Sequence, residues 1–319
     1  MPSALSFRLA HISDIHLGPL PHVKRSELLS KRITGYINWY RNRSDSLDDG
    51  ALDNLVDHMK AAKPDHVAVT GDLVNLALKE ELLLVRDWLQ DLGPPEDVSV
   101  IPGNHDTYVP GALKQVVKQW GDYMTGDVGA IASVFPYLRI RDHVALVGVN
   151  SGRATMPFMA TGSFKHEQAK ALEKLLKETA GRGLFRVIMI HHPPFKGATS
   201  RHKRLIGASR FRDVIERCGA ELILHGHTHI DSFQLIDGPN GTHVPVVGVP
   251  SASHGPSLQD EALGPESRKP GARYNLFEID GKPGAWTCHM QEFGYVGSGK
   301  DIVPIQDRMI GVPADAQDI

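Results

Sequence analysis

The chain has 319 residues, of which 41% are hydrophobic and 23% charged, a composition that excludes disordered and fibrous proteins. Its formal net charge of −2 gives no overall basic field that would favour nucleic acid or an anionic membrane. Two cysteines cannot form a disulfide framework, and no apolar run approaches the roughly 20 residues that span a bilayer. We therefore expect a cytoplasmic protein without a membrane span that does not bind nucleic acid. Whether it is a monomer or a homo-oligomer is open at this point.

Short β-branched runs alternate with longer helical patterns, which is typical of an α/β fold. Helical periodicity is clearest in Leu52–Ala62, Glu80–Leu92 and His166–Thr179. The last strands follow one another with few helices between them, which predicts an antiparallel portion in a mixed sheet. The predicted strands are Phe7–Ile12, His66–Thr70, Val98–Ile101, Val144–Asn150, Arg186–Ile190, Glu221–Leu224, Val244–Val249, Tyr274–Ile279 and Trp286–Glu292.

The chain has no internal repeat and no low-complexity tract that would divide it. Two stretches rich in proline and glycine, Gly255–Ala272 and Gly297–Ile319, have the composition of a mobile loop and a poorly ordered tail. We expect a single domain over residues 1–296 and a C-terminal tail over residues 297–319.

Five of the predicted strands end in a cluster of carboxylate, imidazole and amide side chains. In an α/β sheet the carboxyl ends of neighbouring strands converge on one crevice, so these clusters are expected to meet there. Such side chains are ligands for divalent Mn, Fe, Co or Zn, and the absence of a thiolate argues against a structural zinc site. The clusters contain Asp14 and His16, then Asp72, then Asn104, His105 and Asp106, then His191 and His192, and last His225, His227 and His229.

The order of these motifs resembles that of the calcineurin-like metallophosphoesterase superfamily. The family pattern is D-x-H, G-D, G-N-H-[D/E], H and G-H-x-H, and the chain has each element between Asp14 and His229. The resemblance implies a four-layer α/β/β/α sandwich with mixed sheets and two divalent cations at the strand ends. Carried over by position, one cation would be held by Asp14, His16, Asp72 and His229, and the other by Asp72, Asn104, His191 and His227.

Details of the motifs narrow the resemblance within the superfamily. Purple acid phosphatases have D-x-G and a tyrosine three residues after the bridging aspartate, whereas this chain has His16 and Asn75 at those positions. The D-x-H motif together with Gly-Asn-His-Asp looks most like bacterial class III cyclic-nucleotide phosphodiesterases and glycerophosphodiesterases. The resemblance implies hydrolysis of a small anionic phosphodiester by a hydroxide that bridges the two cations.

Two further groups are expected to act on the substrate. His105, next to the ligand candidate Asn104, is the candidate that neutralises the leaving group, and Asp106 is expected to orient its imidazole. A basic stretch with no acidic residue follows His191, and its Arg201 and Arg204 are candidates for binding a second phosphate of the substrate.

Three other functions remain open at this point. The same metal core would serve a phosphomonoesterase or a pyrophosphatase of nucleotide conjugates. A binding module that has kept the fold but lost catalysis is the non-enzymatic alternative, although such a loss should show as missing ligands and each ligand of the pattern is present.

Overall fold

Two six-stranded mixed β-sheets form the centre of the protein. The computed structural model describes residues 6–28, 30–42, 50–127, 135–255, 270–297 and 299–310. In chain order the strands are β1 (Phe7–Ile12), β2 (His66–Val69), β3 (Val98–Val100), β4 (Tyr137–Arg141), β5 (Val144–Val149), β6 (Gly162–Ser163), β7 (Phe185–Ile190), β8 (Leu205–Ile206), β9 (Leu222–His225), β10 (Ser232–Asp237), β11 (His243–Gly248), β12 (Arg273–Lys282), β13 (Ala285–Gly294) and β14 (Val303–Ile310).

The α-helices of the described residues lie between the strands in sequence. They are α1 (Arg32–Asn42), α2 (Ala51–Ala61), α3 (Lys79–Leu92), α4 (Ala112–Trp120), α5 (His166–Gly181) and α6 (Ala208–Cys218). None of the helices in the described ranges is long and apolar enough to cross a bilayer.

Each large sheet contains a block of parallel strands with antiparallel neighbours. The first sheet has the order β14-β13-β12-β1-β2-β3, in which β1, β2 and β3 are parallel and β12, β13 and β14 are antiparallel additions. The second has the order β10-β11-β9-β7-β5-β4, with β11, β9, β7 and β5 parallel. Parallel strands are buried on both faces, and β5 and β7 accordingly read as continuous apolar runs without a buried–exposed alternation.

The two faces of the second sheet pack into different hydrophobic clusters, because successive side chains of a strand point to opposite sides. On β7, Val187 and Met189 join the core shared with the first sheet, whereas Ile188 and Ile190 pack with the helices α5 and α6. Helices α2, α3 and α4 contribute to the core of the first sheet. The result is the α/β/β/α sandwich that the sequence predicts.

Each of the predicted strands and helices is present within a few residues of its predicted bounds. The tail prediction is wrong for Val303–Ile310, which form β14 and pair with β13 at the edge of the first sheet. This edge strand is partly exposed on both faces, so it lacks the buried–exposed alternation by which a strand is recognised. Most of the predicted loop Gly255–Ala272 lies outside the described residues, as do residues 311–319.

The edges of the two sheets are joined by one buried guanidinium. Arg139, on β4 of the second sheet, donates hydrogen bonds to the backbone carbonyls of Val98, on β3 of the first, and of Thr125. It also donates to the carbonyls of Pro95 and Asp122. One side chain therefore satisfies four backbone acceptors in two segments, residues 95–98 and 122–125.

We expect Arg139→Met to lower the free energy of unfolding by about 3 kcal/mol or more, because it leaves these carbonyls buried without a donor. Urea denaturation measures the change. Arg141→Met on the same strand is the matched control, since Arg141 is more exposed and pairs with Asp127 near the surface, and it should lose less than about 1 kcal/mol. Equal losses in the two variants would contradict the assigned role of Arg139.

Candidate metal centre

The candidate ligands lie in the loops that follow β1, β2, β3, β7 and β9, where the carboxyl ends of the parallel strands of both sheets meet. Each of the seven is buried. Hydrogen bonds between loops hold them in place: the backbone N–H of Asp14 donates to the Gly71 carbonyl over 2.9 Å, and that of His227 donates to Asp14 Oδ2 over 2.9 Å. The structure thus brings residues more than 200 positions apart in the sequence into one group.

Asp72 lies at the middle of this group. Its Oδ2 is 3.3 Å from Nε2 of His191 and 4.0 Å from Nε2 of His16. It therefore stands between the two halves of the site, where a bridging carboxylate would stand. Three sets of side chains have ligand atoms within 4.8 Å of one another, namely Asp14, His16 and His229; His16, Asp72 and His105; and Asp72, His191 and His227.

The backbone at these residues adopts an unusual conformation. Asp14, Asp72 and His227 have φ values of 54°, 55° and 70°, in the left-handed region that residues other than glycine rarely occupy. His16 and His229 share this conformation, so five of the ten described non-glycine residues with positive φ are candidate ligands. Strain of this kind gathers at functional sites, where the surrounding structure holds it in place.

Hydrogen bonds to backbone carbonyls determine which ring nitrogen of each histidine faces the centre. A carbonyl can only accept, so Nδ1 of His16 donates to the Val74 carbonyl and Nδ1 of His191 to the Thr70 carbonyl. Nε2 is then the nitrogen with the lone pair in both neutral rings. His227 is reversed, since its Nε2 donates to the Lys203 carbonyl and leaves Nδ1 for a metal. Such carbonyl partners orient metal-ligating histidines in general.

Two buried oxygens fit a metal site. Oδ1 of Asn104 accepts no hydrogen bond from the described residues, and Oδ1 of Asp14 also suits a cation, because it lies 3.1 Å from Nε2 of His229 and a cation could be held between the two. A buried oxygen without a donor costs free energy, and a cation would remove that cost. Carboxylate, imidazole and amide donors together suit divalent metals of hard or borderline character, so the residues present fit the expected pair of cations.

The buried carboxylates and histidines of this group shift one another's pKa values. Burial alone would raise the pKa of Asp72, but the nearby His191 and His105 rings lower it well below its ordinary value. Burial would lower the pKa of His191, yet the carboxylate of Asp72 more than reverses this and raises it to about 9. The carboxylates thus attract positive charge to the centre, which protons supply when cations do not.

The structure corrects the predicted role of Asp106. Its buried carboxylate accepts four backbone N–H groups: Oδ2 those of Asp72 and Gly103, and Oδ1 those of Leu73 and Val74. Sequence adjacency to His105 suggested that Asp106 orients the imidazole. The carboxylate instead secures the loop that carries Asp72, and Asp106 is a positioning residue.

His105 is oriented by a different group. Its Nδ1 donates to the backbone carbonyl of Asn75 over 2.6 Å, and its ring stacks on Tyr108 with the centroids 5.4 Å apart. The ring also meets His16 edge to face at 4.8 Å. Asn75 is in turn held by Glu81, which accepts its backbone N–H over 2.7 Å. The sequence offered no signal for Asn75 because every residue carries a carbonyl.

The basic stretch that contains Arg201 and Arg204 lies beside the centre, because its Lys203 carbonyl accepts a hydrogen bond from Nε2 of His227. Arg201 and Arg204 are exposed there. Arg210 and Arg212 instead donate to the carbonyls of Phe164 and Pro194, so they support the local backbone.

Comparisons with known proteins show the family and the fold of this chain. The sequence model of the calcineurin-like phosphoesterase family matches residues 7–231, well over half of the chain. No curated protein matches the chain by sequence. Among solved structures, a dimetal phosphatase from Danio rerio is similar over 95% of this chain and 98% of that one, with 13% identity and a TM-score of 0.59.

A purple acid phosphatase from seeds of yellow lupin, Lupinus luteus, is similar over 97% of this chain. This chain spans only about half of it, 54%, with 10% identity and a TM-score of 0.57. At such identities the likeness to both structures extends to the fold alone.

We expect Asp106→Asn to reduce the number of metal ions retained per chain, because one amide oxygen cannot accept all four N–H groups and its NH₂ would face two of them. The loop with Asp72 should then lose its position. Metal content after gel filtration and the thermal midpoint measure the effect. Asp213→Asn, an exposed site on α6, is the control. Full metal content in Asp106→Asn would contradict the positioning role.

Proposed function

We propose that this chain, which belongs to the calcineurin-like phosphoesterase family, is a hydrolase that cleaves a small anionic phosphodiester at the candidate metal centre. The observation that carries the proposal is the position of His105, whose ring nitrogen lies within 4.8 Å of ligand atoms of both His16 and Asp72. A group that can hold a proton thus lies beside the residues that would hold the cations, where the phosphate group of the substrate would bind.

We infer that one cation is held by Asp14, His16, Asp72 and His229, and a second by Asp72, Asn104, His191 and His227. A pair of divalent Mn, Fe, Co or Zn ions supplies positive charge for phosphoryl oxygens and lowers the pKa of a bound water to near neutrality. The carbonyl partners of His16, His191 and His227 keep the required nitrogen of each ring directed at the centre.

His105 serves the leaving group in this proposal. Cleavage of an ester places negative charge on the departing oxygen, which needs a proton. The Asn75 carbonyl holds the Nδ1 proton, so Nε2 is the atom that donates to the departing oxygen when the ring is an imidazolium. The stacked Tyr108 ring limits rotation of the imidazole and keeps this nitrogen in place.

A second candidate is a pyrophosphatase that acts on nucleotide conjugates. The exposed Arg201 and Arg204, on the loop beside His227, favour it because they could bind a further phosphate group. The resemblance of the D-x-H and Gly-Asn-His-Asp motifs to class III phosphodiesterases and glycerophosphodiesterases supports the diester instead. A phosphomonoesterase would use the same metal core without need of either arginine.

The test is hydrolysis of bis-p-nitrophenyl phosphate and of p-nitrophenyl phosphate by metal-stripped protein resupplied with Mn, Fe, Co or Zn. We expect faster turnover of the diester, dependent on added metal, with kcat/KM exceeding that of the monoester. Faster turnover of the monoester would assign a phosphatase. No turnover with two ions bound per chain would contradict hydrolysis of simple esters.

We expect His105→Asn to retain its metal and to lower kcat by roughly 10²–10⁴-fold for a diester with an alkyl leaving group. The loss should be much smaller for bis-p-nitrophenyl phosphate, because p-nitrophenolate departs without a proton. Asp72→Asn is the comparison variant and should lose metal as well as activity with both substrates. An equal loss for the two leaving groups in His105→Asn would refute proton donation by this residue.

A further inference from the structure

The mouth of the metal centre is surrounded by two segments that contain no acidic residue, residues 151–166 and 191–212. The segments lie side by side: the backbone N–H of Ala160 donates to the His202 carbonyl over 2.8 Å, and that of Gly162 to the Arg204 carbonyl over 3.1 Å. Their exposed cations are Arg153, Lys165, Lys196, Arg201, Lys203 and Arg204.

Large apolar side chains project from the first of these segments. Phe158 and Met156 are 83% and 74% exposed, more than any other large apolar side chain among the described residues. They belong to a tight turn in which the backbone N–H of Met159 donates to the Met156 carbonyl over 3.1 Å. Phe158 has a φ of 64°, a strained value for an aromatic residue, so the turn holds its ring outward rather than letting it pack.

Helix α1 adds a second apolar surface beside this turn. Ile33, Ile37 and Tyr40 follow one another at spacings of four and three residues, and all three are exposed. The opposite side of the helix faces the protein, since a Cβ at Gly35 would meet the side chains of Tyr108 and Leu76. Arg32, on the flank of the helix, donates to the carbonyls of Leu76 and Ala77. The helix thus presents an apolar stripe outward and is anchored to the protein by a polar contact.

Lys31 joins the helix to the turn. Its ammonium donates to Thr155 Oγ1 over 2.6 Å and to the Met159 carbonyl over 2.7 Å, and it lies 4.4 Å from the centroid of the Tyr108 ring. Tyr108 stacks on His105. The apolar stripe, the turn and the acid-free segments are therefore connected to one another and to the metal centre.

We propose that this mouth face, comprising Ile33, Ile37, Tyr40, Met156, Phe158 and the six exposed cations, docks on the surface of an anionic phospholipid bilayer. Apolar side chains on protruding elements with cations around them are the pattern of interfacial membrane binding. The apolar groups stand on a turn and a helix face rather than in a groove, so they suit insertion into a deformable surface. The cations suit lipid headgroups, which attract basic residues.

Docking in this way directs the metal centre toward the bilayer. The formal net charge of −2 means that the protein as a whole has no attraction for an anionic surface. The two segments without acidic residues can approach it most favourably, so charge orients the molecule before the apolar side chains insert. The proposal concerns binding and does not depend on the reaction that the centre catalyses.

The test is flotation of the full chain with vesicles of phosphatidylcholine and phosphatidylglycerol, compared with vesicles of phosphatidylcholine alone. We expect binding to the anionic vesicles, weakening as sodium chloride is raised because salt screens the cations. Little binding to the neutral vesicles is expected. Absence of binding to the anionic vesicles at low salt would overturn the proposal.

Variants separate the two components of the face. Met156→Gln with Phe158→Asn should weaken vesicle binding at least tenfold while leaving hydrolysis of a water-soluble diester unchanged; asparagine is chosen because it tolerates positive φ. Met309→Gln, exposed on β14, is the apolar control.

Arg201→Glu with Arg204→Glu should weaken vesicle binding about tenfold or more. The control is Lys282→Glu, an exposed cation at the opposite end of the first sheet.

Two results would overturn the proposal in favour of another occupant. If the double variant Met156→Gln and Phe158→Asn binds vesicles as the wild type does, the apolar surface does not insert. If the wild type sediments as a dimer and this variant as a monomer, the face covers a second copy of the chain. Because vesicle binding is scored without turnover, its failure is distinguishable from failure of the proposed hydrolysis.

Discussion

The four hydrogen bonds that the Asp106 carboxylate accepts are the constraint on which the metal centre depends. They tie the loop after β3 to the loop after β2. The second loop carries Asp72 in a left-handed conformation that the backbone would not keep unaided. The same loop provides the Asn75 carbonyl that orients His105. One buried carboxyl group thus positions both the central carboxylate of the site and its proton-holding imidazole.

This arrangement also explains the charge of the centre. Burial raises the pKa of Asp106, and the nearby Asp72 carboxylate raises it further, so that its value is about 7. Asp14 also interacts with Asp72, so three buried carboxyl groups lie near one another. Such a group is stable only with positive charge among its members. Divalent cations suit this arrangement, since one such cation supplies the positive charge of two protons.

The grouping of the candidate ligands could be predicted from the sequence because each of them is a side chain of defined type that follows a strand end. Roles that the backbone performs could not be predicted in this way. The carbonyls of Asn75 and Lys203 orient His105 and His227, but a carbonyl occurs at every position. Asp106 shows the related limit that adjacency in sequence does not determine where a side chain points. The edge strand β14 was missed because backbone pairing holds it without a buried face.

Net charge is a similarly incomplete guide to what the surface can bind. A value of −2 suggested no attraction for anionic surfaces, yet the acidic residues are unevenly placed and are absent from residues 151–166 and 191–212. A charged surface acts on a protein over about a Debye length, roughly 8–10 Å at physiological salt, so the nearest residues decide the attraction. The fold brings both segments to the mouth of the metal centre. The exposed cations of these two segments therefore favour the approach of an anion to this side of the protein, whatever the net charge of the whole chain.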